Sequence, residues 1–212
     1  MRPFDGSRPA VQPAALDARA TEALLDRARA ESCTVQAALC AAAASALFRT
    51  SADGRVRINV PIDLRSAVDL DDDVVIRFSA TMVDLERVAG EPFWDLARRA
   101  HGQLDAARQP ATVQATALMI AAATPATPEE AEGAMLAATG ADIEITNLGV
   151  VDPSAEAEIS ALWGPTMTTQ VDGERILGVV TSGGVLRLVN VTHDPSGDIA
   201  ADIVGALAAA LD

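Results

Sequence analysis

Lysine is absent from this chain, and its 16 basic residues are all arginine, set against 30 aspartates and glutamates. The net charge of −14 excludes nucleic acid as a partner, because phosphate binding needs clustered cations to release counterions. Histidine is scarce as well. His101 and His193 stand far apart in unrelated contexts, and His101 has no second ligand at i+3 or i+4, so a surface role for it and a turn role for His193, before Asp194-Pro195, are expected in place of a metal site. The only two cysteines, Cys33 and Cys40, straddle a helix start at a spacing that does not suit a mutual disulfide. Cys40 lies among alanines with no base or cation close in sequence to activate it, and reads as core. Gly178, Gly183 and Gly184 do not follow the strand, tight loop, helix order of a phosphate cradle. The first residues carry no apolar run of a secretory signal, which makes the cytoplasm the expected location. Charge is missing from one further place: Gln109 to Pro128 is a 20-residue uncharged run. Its composition, mostly Ala and Thr with three prolines, favours a buried helix over a membrane span.

What is present is enough for a sizeable core, since half of the 212 residues are hydrophobic. Residues 1–13 read as a linker-like segment, with Pro3, Gly6, Ser7, Pro9 and Pro13 and no period, followed by a single unit over 14–212. Apolar spacing predicts helices from Leu16 to Arg27 and from Val35 to Leu47, the second capped by Thr34. Pro92 opens another helix from Phe93 to Ala107. Thr127-Pro128-Glu129-Glu130 has the form of a capping box for a helix ending by Gly140. Extended segments are expected at Arg55 to Arg65, Val74 to Leu85, Asp142 to Thr146, Ala157 to Trp163, Ile176 to Ser182 and Val185 to Thr192. The Gly183-Gly184 pair turns the last two into a hairpin, and a final helix runs from about Ser196 to Leu211. The acidic run Asp69 to Asp73 reads as a solvated loop. Such an order gives an α/β chain, with helices packed on a mixed β-sheet.

The most informative stretch is Arg55-Val-Arg-Ile-Asn-Val-Pro-Ile-Asp-Leu-Arg65, where Val56, Ile58, Val60 and Ile62 alternate with polar residues and Pro61. Three segments taken in order, Thr34-Val35-Gln36-Ala37-Ala38-Leu39, Ile58 to Arg65 and Ile145-Thr146-Asn147-Leu148-Gly149, resemble the condensation-domain and polyketide-associated acyltransferase superfamily, whose fold is that of chloramphenicol acetyltransferase. The resemblance is to the second of its two subdomains. It implies an active-site tunnel between the subdomains, where an acyl group on coenzyme A or on a phosphopantetheinyl carrier protein meets a hydroxyl or amine. The family's His-His-x-x-x-Asp-Gly signature belongs to the first subdomain, and no histidine pair occurs here, so no catalytic residue is assigned to this chain.

By that resemblance, Arg65 is the arginine that forms an ion pair with the signature's aspartate across the subdomain boundary, a task suited to a planar, two-pronged guanidinium. Asn59, Pro61, Asp63, Asn147 and Gly149 fall at the junction, and Trp163 is a core or tunnel-wall residue. One of the strands Val74 to Leu85 or Ile176 to Thr192 is a candidate for lending to the first subdomain. The expected partners are an N-terminal acyltransferase half or another copy of this chain, with an acyl carrier protein as donor. No permanently bound cofactor, metal or membrane span is expected. The alternative is a non-catalytic module that uses the same half-fold to bind acyl groups or protein.

Overall fold

Six strands form one mixed sheet in the computed structural model, which describes residues 1–3, 5–64, 78–152 and 158–212. The order along the chain is β1 (Ala10–Leu16), α1 (Ala18–Ala30), α2 (Val35–Leu47), β2 (Arg55–Asp63), β3 (Phe78–Glu86), α3 (Phe93–Arg108), α4 (Pro110–Ala122), α5 (Pro128–Thr139), β4 (Ile143–Val150), β5 (Arg175–Ser182), β6 (Val185–Thr192) and α6 (Ile199–Ala209). Across the sheet the strands run β1-β6-β5-β4-β2-β3. The central neighbours β2, β4 and β5 are parallel, and the outer pairs are antiparallel. The chain is thus α/β, as its pattern predicts. Arg65, the acidic run 69–73 and residues 74–77 lie outside the described residues.

Helix α2 is the centre of the molecule. Eleven of its residues are buried, including every position from Ala37 to Ala44, because it is wrapped by α3 and α6 while lying on β2 and β4. Only small side chains fit a helix enclosed on all sides, which accounts for its run of alanine. Thr34 caps it as expected, its Oγ1 accepting from the Ala37 N–H at 3.2 Å. Cys40 is fully buried, and burial pushes its thiol up to about 12, so it is inert core. Val56, Ile58, Val60 and Ile62 of β2 are buried at alternate positions, matching the sequence pattern. Gly183 and Gly184 turn β5 into β6 with φ of +58° and +75°, a left-handed pair that suits a two-residue hairpin.

The structure corrects several expectations. Residues 10–13, read as the end of a linker, are the first half of β1, paired antiparallel to β6 with Pro13 opposite Val189. An edge strand tolerates proline because one side of it needs no donors. Residues 158–163 form no strand. The uncharged run does form α4, but that helix is exposed and buries only Val113, with Leu118, Met119 and Ile120 at 72%, 64% and 61% exposure. His101 is half-buried in α3, not on the surface. Both candidate lending strands pair inside this sheet, β3 with β2 and β5 with β4 and β6. Among the described residues no single helix is long and apolar enough to cross a membrane.

Candidate functional site at the junction of β2 and β4

Strands β2 and β4 are paired only at Ile58 with Ile143 and at Asn59 with Glu144, and beyond that point they diverge. A proline at position 61 is compatible with this, since past the ladder its missing N–H costs no bond to β4. Between the separated ends lies a cavity of about 460 Å³ lined by Gln36, Val60, Pro61, Ile62, Asp63, Arg108, Gln109, Pro110, Asn147 and Gly149. Four of the five junction residues read from the sequence, Pro61, Asp63, Asn147 and Gly149, therefore converge on one space although they come from strands more than eighty residues apart in sequence.

The Asn-Leu-Gly segment shapes its rim. The β4–β5 register shifts between Asn147 and Val150, Gly149 has a φ of +73°, and its N–H donates to Asn147 Oδ1 at 2.8 Å. A glycine fits there because a side chain would be strained in the left-handed region. The turn spends the Asn147 carbonyl on its own backbone, leaving the amide nitrogen directed elsewhere.

Asn59, the fifth junction residue, lies just short of the cavity in the last paired rung. It is buried, and its Nδ2 donates to Glu144 Oε2 at 3.0 Å. Burial raises the Glu144 carboxyl above the usual range; the Asn59 hydrogen bond opposes this, and nearby Glu174 adds to it. The folded-state pKa of Glu144 is thus higher than its unfolded value, so its ionisation destabilises the fold progressively as pH rises through the two values and in full above them. Glu144→Gln, which keeps an acceptor for Asn59, should raise stability at pH 7 and flatten that part of the pH profile, as read from urea midpoints between pH 4 and 8.

Trp163 lies elsewhere. It is 41% exposed, with the Arg187 guanidinium over its ring at 5.9 Å, and belongs neither to the core nor to the cavity. Its neighbour Gly164 crosses directly over Gly178 of β5. A larger cavity of about 750 Å³ opens at the opposite strand ends, lined in part by Arg55, Arg57 and Asp142. Part of its polar lining is engaged within the fold: Arg55 pairs with Asp84 through two hydrogen bonds, and Asp142 accepts from the Arg57 backbone N–H at 2.7 Å. No group of three or more His, Cys, Asp or Glu side chains is arranged to hold a metal among the described residues. Neither histidine lines the junction cavity.

Two polar lining residues were not singled out from the sequence, Gln36 and Arg108, although Gln36 stands in the first of the three resembling segments. Gln36 could have been found as the one polar side chain in the otherwise apolar stretch from Val35 to Ala44, whereas Arg108 is one arginine among many.

Comparison with known proteins bears on the fold and the family. Solved structures of similar fold include the epimerization domain from the third module of tyrocidine synthetase B (14% identity, TM-score 0.65, 96% of this chain and 48% of that one). They also include polyketide synthase associated protein 5 from Mycobacterium tuberculosis (15%, 0.65, 97% and 53%) and trichothecene 15-O-acetyltransferase from Fusarium sporotrichioides (13%, 0.66, 96% and 47%). At these identities they establish the fold, and the chain spans about half of each. No curated protein gives a significant match. A family model described as the C-terminus of phthiocerol/phthiodiolone dimycocerosyl transferase matches residues 5–158, well over half of the chain. That match shows that the chain belongs to this family of acyltransferase C-terminal domains.

Proposed function

We propose that this chain is the C-terminal half of an acyltransferase that moves an acyl group from a carrier-protein or coenzyme A thioester to a hydroxyl or amine, working against a half that carries His-His-x-x-x-Asp-Gly. The observation that carries this reading is the convergence of Pro61, Asp63, Asn147 and Gly149 on one open cavity that contains no histidine. Proton removal from an alcohol or amine needs a base with a near-neutral pKa, and a histidine from the other half meets that need. Arg65 would pair with the aspartate of that half's signature, holding the histidine loop in place through two parallel hydrogen bonds.

Support also comes from α4. Leu118, Met119 and Ile120 are all more than 60% exposed on a helix without charge, and the solved structures of this fold are about twice as long as the chain. A helix that is apolar all round is normally enclosed. The second half of the fold is the occupant that would enclose it.

The test is reconstitution. The chain alone should give no turnover of an acyl thioester with an alcohol or amine, and co-expression with a half carrying the histidine signature should restore it. Replacing the second histidine of that half by alanine should abolish the restored activity. Turnover by the chain alone would overturn the proposal.

A further inference from the structure

The floor of the junction cavity holds one polar group that the fold leaves without a bond. Gln36 is only 8% exposed, and the one side-chain partner it has among the described residues is Cys40 Sγ, to which its Nε2 donates at 3.9 Å. Its Oε1 accepts from nothing within the fold. The described side-chain atoms that are both sealed off and unpaired are Arg2 Nε, His101 Nδ1, Asn190 Oδ1 and His193 Nε2, so Gln36 Oε1 is not sealed, and it opens onto the cavity that the residue lines. The other buried residues of the lining, Val60 and Ile62, are apolar, and the rest stand exposed or partly exposed at the rim. The deepest part of the cavity is thus a single hydrogen-bond acceptor beside two branched apolar side chains. An acceptor buried to this degree is costly unless water or a ligand bonds it.

Resting on the acyl-transfer reading above, we propose that Gln36 Oε1 binds the thioester donor by accepting from an amide N–H of its pantetheine arm, the unit that coenzyme A and a carrier protein share. The other parts of the two substrates do not fit this floor. A hydrocarbon acyl chain has no donor, and by displacing water from Oε1 without replacing its bond it would lose affinity. The hydroxyl or amine must present its reacting proton to the histidine base of the other half, and neither histidine of this chain lines the cavity. A carboxylate would set acceptor against acceptor. An amide flanked by methylenes matches both features of the floor, with its N–H on Oε1 and its methylenes against Val60 and Ile62. Its carbonyl, opposite the N–H in a trans amide, then points to the open mouth and stays hydrated.

The experiment titrates the chain with two valeryl thioesters of the same size and follows amide chemical shifts. One is the thioester of N-acetylcysteamine; the other is that of O-acetylmercaptoethanol, in which an ester oxygen replaces the amide N–H. The amide probe should bind about tenfold more tightly, since the ester removes a buried hydrogen bond and sets two acceptors face to face. Gln36→Met, which keeps the volume and removes the amide oxygen, should erase that preference. Valeryl-coenzyme A and a valeryl carrier protein, titrated in turn, distinguish the two sources of the arm, and the same substitution should weaken whichever binds by about tenfold. Equal binding of the two small probes by the parent chain, a comparison that needs no substitution, would overturn the assignment and leave acyl transfer standing. So would a preference that survives Gln36→Met. If neither probe shifts the cavity residues, the assignment falls as well, and the reconstitution of activity then decides the acyl-transfer reading by itself.

Discussion

Gly178→Val should destabilise the chain by about 3 kcal/mol, a large part of the stability of a domain this size. A Cβ built on Gly178 falls 1.9 Å from the Pro165 carbonyl oxygen, and one built on Gly164 falls 2.2 Å from the Gly178 carbonyl carbon. The two glycines therefore mark a place where the segment before β5 crosses that strand at backbone contact. Neither obstacle is a flexible side chain that can rotate away. The crossing segment is tied down close by, because Glu174 accepts from the Thr169 N–H at 2.7 Å, from Thr169 Oγ1 at 2.6 Å and from the Thr168 hydroxyl. Burial alone would raise the Glu174 carboxyl, but these bonds outweigh it and hold the carboxyl below its usual value. On β5, Leu177 and Val179 belong to the helix-side core, so Ile176 and Val180, with the parity of Gly178, face the crossing segment, and both are buried. Valine at 178 must either lift that segment, uncovering them, or push β5 out of register with β4 and β6. Urea denaturation measures the loss. Proteolysis distinguishes the routes, since a lifted segment is cut within residues 158–174 while a displaced β5 destabilises the whole sheet. A midpoint equal to that of the parent chain would show that the crossing is not rigid.

Legibility in the sequence followed how local each signal is. Helix α2 and strand β2 were readable because their periodicity and caps are written within a dozen residues, and the buried face of β2 followed directly from alternation at Val56, Ile58, Val60 and Ile62. Residues 10–13 were not, since proline, alanine and glutamine make a strand only when β6 supplies a ladder nearly 180 residues away. The segment through Trp163 had the apolar look of a strand, but it covers the sheet instead of joining it, and the contact that decides this is the glycine pair. Four of the residues lining the junction cavity were singled out through family resemblance, whereas Gln36 and Arg108 were not, because the cavity they share depends on β2 and β4 diverging after a single short ladder. The expectation of a buried helix at α4 fails: its uncharged composition favours apolar surroundings, and the structure shows that this chain does not provide them.

That exposed helix carries the second large prediction. Changing Leu118, Met119 and Ile120 together to glutamine, a good helix former, should leave the isolated chain within about 0.5 kcal/mol of its parent, because no core contact is removed. On the two-half reading, the same triple change should weaken association with the histidine-bearing half by about a thousandfold, since burying three large apolar side chains contributes roughly 1.5 kcal/mol each. The three positions are consecutive, so their side chains point about 100° apart around the helix axis. A flat partner would touch only one or two of them. An enclosing groove touches all three, so the single substitutions should each cost a comparable share instead of one dominating. Ultracentrifugation of the two halves across the four variants reads this out, and acyl transfer at saturating partner should recover to the parent rate if the helix serves assembly alone. Unchanged association of the triple variant would remove α4 from the interface, and a loss of activity that saturation does not restore would place the helix in the tunnel itself.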